Sequence, residues 1–222
     1  MPSFKSDPLS WAEAEQAFVS KGIMSADDFY ALREAYRGYA FTTTLIQEYA
    51  VMIRIKAKLE QIIAEGETIE AFQAWAAKDG IVWTDAYSEL VYRMAVQGSY
   101  AKARYEAIMD PDIAQEFNLL MYSTADDDRV RDEHAEMDGF TAARNKFPDE
   151  WWPQCGFNCR CTIRALNSDL ARRAGAKTGR PIPLDEDGNP VRPDKGFRAN
   201  QNRDYGGMLD AQLVQAKAQL EE

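Results

Sequence analysis

The chain has one histidine and three cysteines, and all four lie between residues 134 and 161: His134, Cys155, Cys159 and Cys161. One imidazole and three thiols are a usual donor set of a structural zinc site, which is tetrahedral and closed. The thiols are spaced C-x3-C-x-C, with Gly156 able to turn sharply inside the loop. Zinc held there would keep the thiolates deprotonated and add binding free energy to a region with little core of its own. Two other arrangements use the same residues. His134 shares a helical face with Val130 and Met137 and can simply pack there, with Asp138 as a partner four residues on. Two of the cysteines can form a disulfide, or all three can be buried as small apolar side chains.

Other chemistry-bearing runs are weaker. Asp126-Asp127-Asp128 invites a divalent cation, but it also reads as the negative first turn of a helix, with Arg129 and Arg131 to neutralise it. Trp151-Trp152, next to Pro153, reads as cover for a small core rather than as a stacking platform. The sequence contains no G-x-S-x-G, P-loop or H-E-x-x-H pattern. A zinc ion with four protein ligands has no open position, so these residues predict a clamp and not an enzyme.

The elements that must position this stretch read as a helical body, a small mixed region and a polar tail. Apolar spacing predicts helices over 8–20, from 26 to about 38, over 41–65, over 67–79 and over 85–109. In the third, Leu45, Tyr49, Met52, Leu59 and Ile63 fall on one stripe, widened by Ile46, Ile53 and Ile62. Asp110-Pro111 restarts a helix, as a capping carboxylate followed by proline at the first helical position. FNLLMYS at 117–123 and CTIRAL at 161–166 suit short strands that bracket the donor residues. His134 falls on a short helix over about 128–137. The run KTGRPIPLDEDGNPVRPDKGFRANQNRDYGG is rich in Gly, Pro, Asn and charge and reads as an extended arm, followed by a last helix over about 208–220. The expected class is α+β and mainly α-helical. The expected parts are a helical body over 1–116, a small α+β region with the Cys/His cluster over 117–175, and an arm plus helix over 176–222.

The net charge is −10 and unevenly spread. Residues 1–140 carry 13 Lys/Arg against 25 Asp/Glu, and residues 141–205 carry 12 against 8. An acidic body does not suit non-specific nucleic-acid binding, because phosphate contacts need cations. Only the basic segment, with Arg160, Arg164, Arg172, Arg173, Lys177 and Arg180, offers such contacts. No run approaches the roughly 20 apolar residues of a membrane span, and MPSFKSDPLSW has no apolar signal core. The expectation is a reducing cytoplasm and no membrane.

The residues Asp127–Gly139 (DDRVRDEHAEMDG), then Trp151-Trp152-Pro153, then Gly156–Ile163 (GFNCRCTI) resemble the head-morphogenesis domain of phage Mu F-like minor head proteins. Gly66–Phe72 (GETIEAF), Ile81–Trp83 (IVW) and Lys195–Asn200 (KGFRAN) extend the resemblance over most of residues 40–205. Some relatives carry Cys-x-x-Cys where this chain has Arg131 and His134, an exchange of thiolate for imidazole that a metal site tolerates. The resemblance therefore supports His134, Cys159 and Cys161 as ligands, whereas Cys155 stands where relatives carry another residue. The family's Pro-Gly after the downstream asparagine is missing here, where Gln201 follows Asn200.

The resemblance implies a structural protein of a phage or prophage virion, a minor head component acting in capsid assembly. Its expected place is the capsid interior or portal vertex, with the host cytoplasm as the place of assembly. Its expected partners are portal, scaffold or major capsid protein, and packaged DNA through residues 141–205. Two alternatives stay open: a DNA-associated virion protein that assists packaging or ejection, and a metal-dependent effector or hydrolase.

Overall fold

The computed structural model describes residues 11–203, apart from 44 and 47. The helix expected over 208–220 lies outside the described residues. The chain forms two compact units. One holds the described residues up to Tyr30 together with Tyr39–Arg104, and the other holds Ala31–Gly38 and the described residues from Tyr105 on.

The first unit is helical. It contains α1 (Trp11–Val19), the two-residue strand β1 (Gly22–Ile23), α2 (Ala26–Ala31) up to Tyr30, β2 (Ala40–Phe41), α3 (Tyr49–Glu65), α4 (Ile69–Lys78) and most of α5 (Asp85–Met109). Ser25 caps α2, accepting the Asp28 N–H at 3.1 Å and donating to its carboxylate at 2.6 Å. α3 ends at Gly66, whose φ of 68° lets its N–H reach Ile62 O. The buried face of α3 is Met52, Ile55, Leu59, Ile62 and Ile63. Of these, Ile55, Leu59, Ile62 and Ile63 pack with Phe18, Phe41, Phe72, Ala76, Val91 and Ala95 into an almost wholly hydrocarbon core.

Two expectations shift here. None of the described residues from 41 to 48 is helical. Ala40–Phe41 instead pairs in parallel with Gly22–Ile23, and Thr42-Thr43 follows it. β-branched hydroxyl residues lose rotamer freedom in a helix and compete for its backbone hydrogen bonds. Leu45, expected inward, is accordingly exposed, and Tyr49 and Ile53, also expected inward, lie in α3 on its exposed side. The helix expected over 26–38 also breaks. α2 stops at Ala31 and a 3-10 turn follows over Glu34–Tyr39.

The second unit starts from the end of α5, followed by α6 (Pro111–Glu116), β3 (Leu119–Ser123), α7 (Asp132–Met137), β4 (Phe140–Ala143), β5 (Thr162–Leu166), α8 (Ser168–Arg173) and β6 (Lys177–Thr178). Asp110 caps α6 through the N–H groups of Asp112 and Ile113, with Pro111 at the first helical position, as expected. The two strands expected from composition pair directly and antiparallel, Leu119 opposite Leu166 and Ser123 opposite Thr162. The sheet order is β5-β3-β4-β6. The class is α+β and mainly helical. Leu120 and Tyr122 of β3 and Ile163 of β5 face a core completed by Met137, Phe140, Phe147, Trp151 and Trp152. Cys155 and Cys159 belong to that same core.

The arm has almost no regular structure, as its composition suggests, but it is not loose. Val191, Phe197, Asn200 and Asn202 are buried. Asn200 donates to Asp149 at 3.1 Å, and Asn202 donates to the Pro153 carbonyl. Within the same unit Glu34 accepts from the N–H groups of Gly196 at 3.0 Å and Arg198 at 2.7 Å.

Candidate metal centre

His134 reaches the core because α7 is amphipathic over less than two turns, with only His134 and Met137 buried. The end of α7 is pinned. The Asp138 carboxylate accepts from the Thr124 N–H at 2.8 Å and from its hydroxyl at 3.0 Å. Gly139, at φ 73°, then sends its N–H to Tyr122 O. These bonds hold α7 against the end of β3.

The cysteine loop is folded on the opposite side by its own tight turn. Asn158 adopts φ 56°, a conformation that asparagine tolerates better than most residues, and Cys159 N–H returns to Gly156 O at 3.2 Å. Cys161 then immediately precedes β5. Two arginines fasten the loop to the segment around α7. Arg131 donates to Phe157 O at 2.6 Å, and Arg160 grips Asp127 through two bonds of 2.6 Å. The acidic run therefore lies before α7 rather than in its first turn, and Asp127 serves as the partner of Arg160. That pair holds the Asp127 carboxyl well below the usual range.

The result brings three of the four expected donors together. One ligand atom each from His134, Cys159 and Cys161 lies within 4.8 Å of the others. His134 Nδ1 is 3.4 Å from Cys161 Sγ and 3.9 Å from Cys159 Sγ. Tetrahedral zinc, with bonds of about 2.3 Å to sulfur and about 2.0 Å to nitrogen, would set such N···S edges near 3.5 Å. The donor set fits that ion in type and in spacing. Cys155 lies outside the group of three, although it is fully buried and its thiol neighbours that of Cys159.

The electrostatics suit a soft cation. Cys159 is held well below the ordinary thiol range, first by the Cys155 thiol, then by Cys161 and the His134 ring. Cys161 is pushed up, first by its neighbour Cys159 and then by burial. Burial also pushes the Cys155 thiol and the Tyr122 hydroxyl up. The thiols are packed closely enough that each shifts its neighbours' hold on a proton. A divalent ion would replace the thiol protons.

Two aromatic residues complete the surroundings of His134. Trp151 stands edge-on to the imidazole with ring centres 5.6 Å apart, and the Tyr122 hydroxyl is 3.4 Å from Nδ1. Tyr122, Asp127 and Arg160 were not expected around the donors. The alternation of Leu120 and Tyr122 along β3 was a usable signal for the first. Nothing local in the sequence pairs residue 127 with residue 160. No helix among the described residues is long and apolar enough to cross a membrane.

The described residues thus form a mainly helical α+β protein in which an imidazole and two thiols meet between a short helix and a strand. The chain belongs to the Phage Mu protein F like family, whose model matches residues 54–164. It is similar to "Putative capsid assembly protein F" of Escherichia phage Mu, at 24% identity over 73% of this chain. The chain spans 42% of that relative's length. No solved structure matches it.

Proposed function

We propose that this chain is a minor head protein of a phage or prophage virion that acts in head assembly through protein–protein contacts, without turnover chemistry. Family membership carries this reading, together with the capsid-assembly name of the Mu relative. Its partners are portal, scaffold or major capsid protein, and its place is the capsid interior or portal vertex. Deleting the coding segment from the phage that encodes it should sharply reduce filled heads, with rescue by the wild-type chain. Normal head yield after deletion would contradict the role.

The role of the metal centre follows from the same reading. His134, Cys159 and Cys161 hold a structural zinc ion, with Cys155 as the fourth donor. The convergence of the chain's only imidazole with two thiols at N···S distances of 3.4 and 3.9 Å supports this. Zinc there would lock the cysteine loop to α7 and so fix the shape that head partners meet. Cobalt substitution separates the fourth donor: Cys155→Ser should lower the sulfur-to-cobalt charge-transfer absorption by about one third, for one thiolate of three. An unchanged spectrum would remove Cys155 from the ligand set.

A further inference from the structure

His134 turns one ring nitrogen toward sulfur and leaves the other facing a carboxylate. Nε2 is buried and has no hydrogen-bond partner among the described residues, and Asp194 Oδ1 lies 3.9 Å from it. That gap exceeds a hydrogen bond and is too short for a bridging water. A shift of about 1 Å would close it. Imidazoles that ligate metal through one nitrogen commonly donate from the other to a carboxylate, which fixes the tautomer and raises ligand basicity.

Asp194 is built into this position. Its N–H donates to Cys155 O at 3.0 Å, and its own carbonyl accepts from the Phe197 N–H at 2.9 Å. Its second oxygen lies 3.4 Å from Arg131 Nε. Gly156 passes so close that a Cβ there would stand 2.3 Å from Asp194 Oδ2, so the carboxylate reaches the site only because residue 156 has no side chain. Phe197 packs edge-on against Phe157 at 5.0 Å, on the cysteine loop itself. The downstream arm therefore delivers a carboxylate to the back of the imidazole.

We propose that Asp194 is a positioning residue of the metal centre: its carboxylate holds His134 protonated on Nε2, which presents the Nδ1 lone pair to the metal between Cys159 and Cys161. The inference rests on the zinc reading above. It also makes metal loading and docking of the 191–203 segment mutually stabilising, because binding couplings are reciprocal.

The test uses the full chain, loaded with zinc, and its single histidine. Long-range proton–nitrogen correlation should show one imidazole, protonated on Nε2 and bound through Nδ1. Asp194→Asn preserves the shape and should weaken zinc binding on the order of 10- to 100-fold in competition with a chromogenic chelator. Asp194→Ala should weaken it at least as much and raise hydrogen exchange across 191–203. A ring bound through Nε2 in the wild type overturns the inference, and so does Asp194→Asn binding within about twofold of wild type. If the alanine variant does not fold, the wild-type tautomer and the asparagine variant still decide. A wild type that binds no zinc sinks the metal reading as a whole, whereas equal binding by wild type and Asp194→Asn sinks only the role of Asp194.

Discussion

The two units close their interiors by different means. In the first, a helix of 17 residues and most of one of 25 supply regular apolar faces, and the core around Ile55, Leu59, Ile62 and Phe72 is hydrocarbon. In the second, strands of two to five residues and a six-residue helix enclose Tyr122, His134 and two buried cysteines. Long helices satisfy their own backbone and need only a partner for one stripe. Short strands with a polar, sulfur-rich centre leave groups that burial alone does not favour. A hydrocarbon core stabilises itself through area removed from water. A core holding imidazole and thiols gains most when a cation ties them together.

The largest effect expected from this contrast is selective. Removing zinc with a chelator, or making Cys159→Ser, should unfold the second unit and leave α3 and α4 protected from hydrogen exchange. Apparent binding free energies of structural zinc run to about 10 kcal/mol or more, enough to exceed the stability of a small unit. Uniform loss across both units, or no loss in either, would break the comparison. Next in size, Phe72→Ala should cost about 3–5 kcal/mol in denaturant unfolding while zinc affinity stays at the wild-type value. Reduced zinc affinity in that variant would show that the units are not independent in this respect.

A smaller effect belongs to the backbone of the second unit. A Cβ on Gly38 would stand 2.0 Å from the Gln201 carbonyl oxygen, which is main chain and cannot swing away. Gly38→Ala should cost about 1–3 kcal/mol and release the 196–203 segment, as read by limited proteolysis. The smallest effect concerns pH. The Arg160 pair depresses the folded-state carboxyl of Asp127, so its contribution is fully present above the unfolded value near pH 4. It is lost as the pH falls through the lower folded value. Asp127→Asn should therefore lower stability at neutral pH and flatten that acid limb. An acid limb as steep as wild type would remove the pair from the account.

Much of the helical unit was legible because its signals are local. Ser25 caps where side-chain chemistry requires, and Met52, Leu59 and Ile63 follow the helical period. Leu45 fits the stripe, but β-branched Thr42 and Thr43 precede it and the helix starts later, whereas Tyr49 and Ile53 lie in the helix on its exposed side. In the second unit the donor types of His134, Cys159 and Cys161 were legible, as were both strands beside them. The strand Phe140–Ala143 was not, since it is four residues long and reads equally as loop. Asp194 and the Asp127–Arg160 pair depend on contacts between distant residues, for which the sequence offers no period. The arm reads as extended because Gly, Pro and charge mark irregular backbone. Irregular backbone can still be buried when side chains supply its hydrogen bonds, as where Asn200 Oδ1 accepts from the Asn202 N–H at 3.0 Å.

The central claim is that a zinc clamp holds the second unit of this Mu F-like chain. Elemental analysis of the purified full chain, paired with hydrogen exchange, tests it most directly. The account predicts about one zinc ion per chain, lost in Cys159→Ser together with protection of β3 and β5. A metal-free chain whose β3 and β5 remain protected would contradict it.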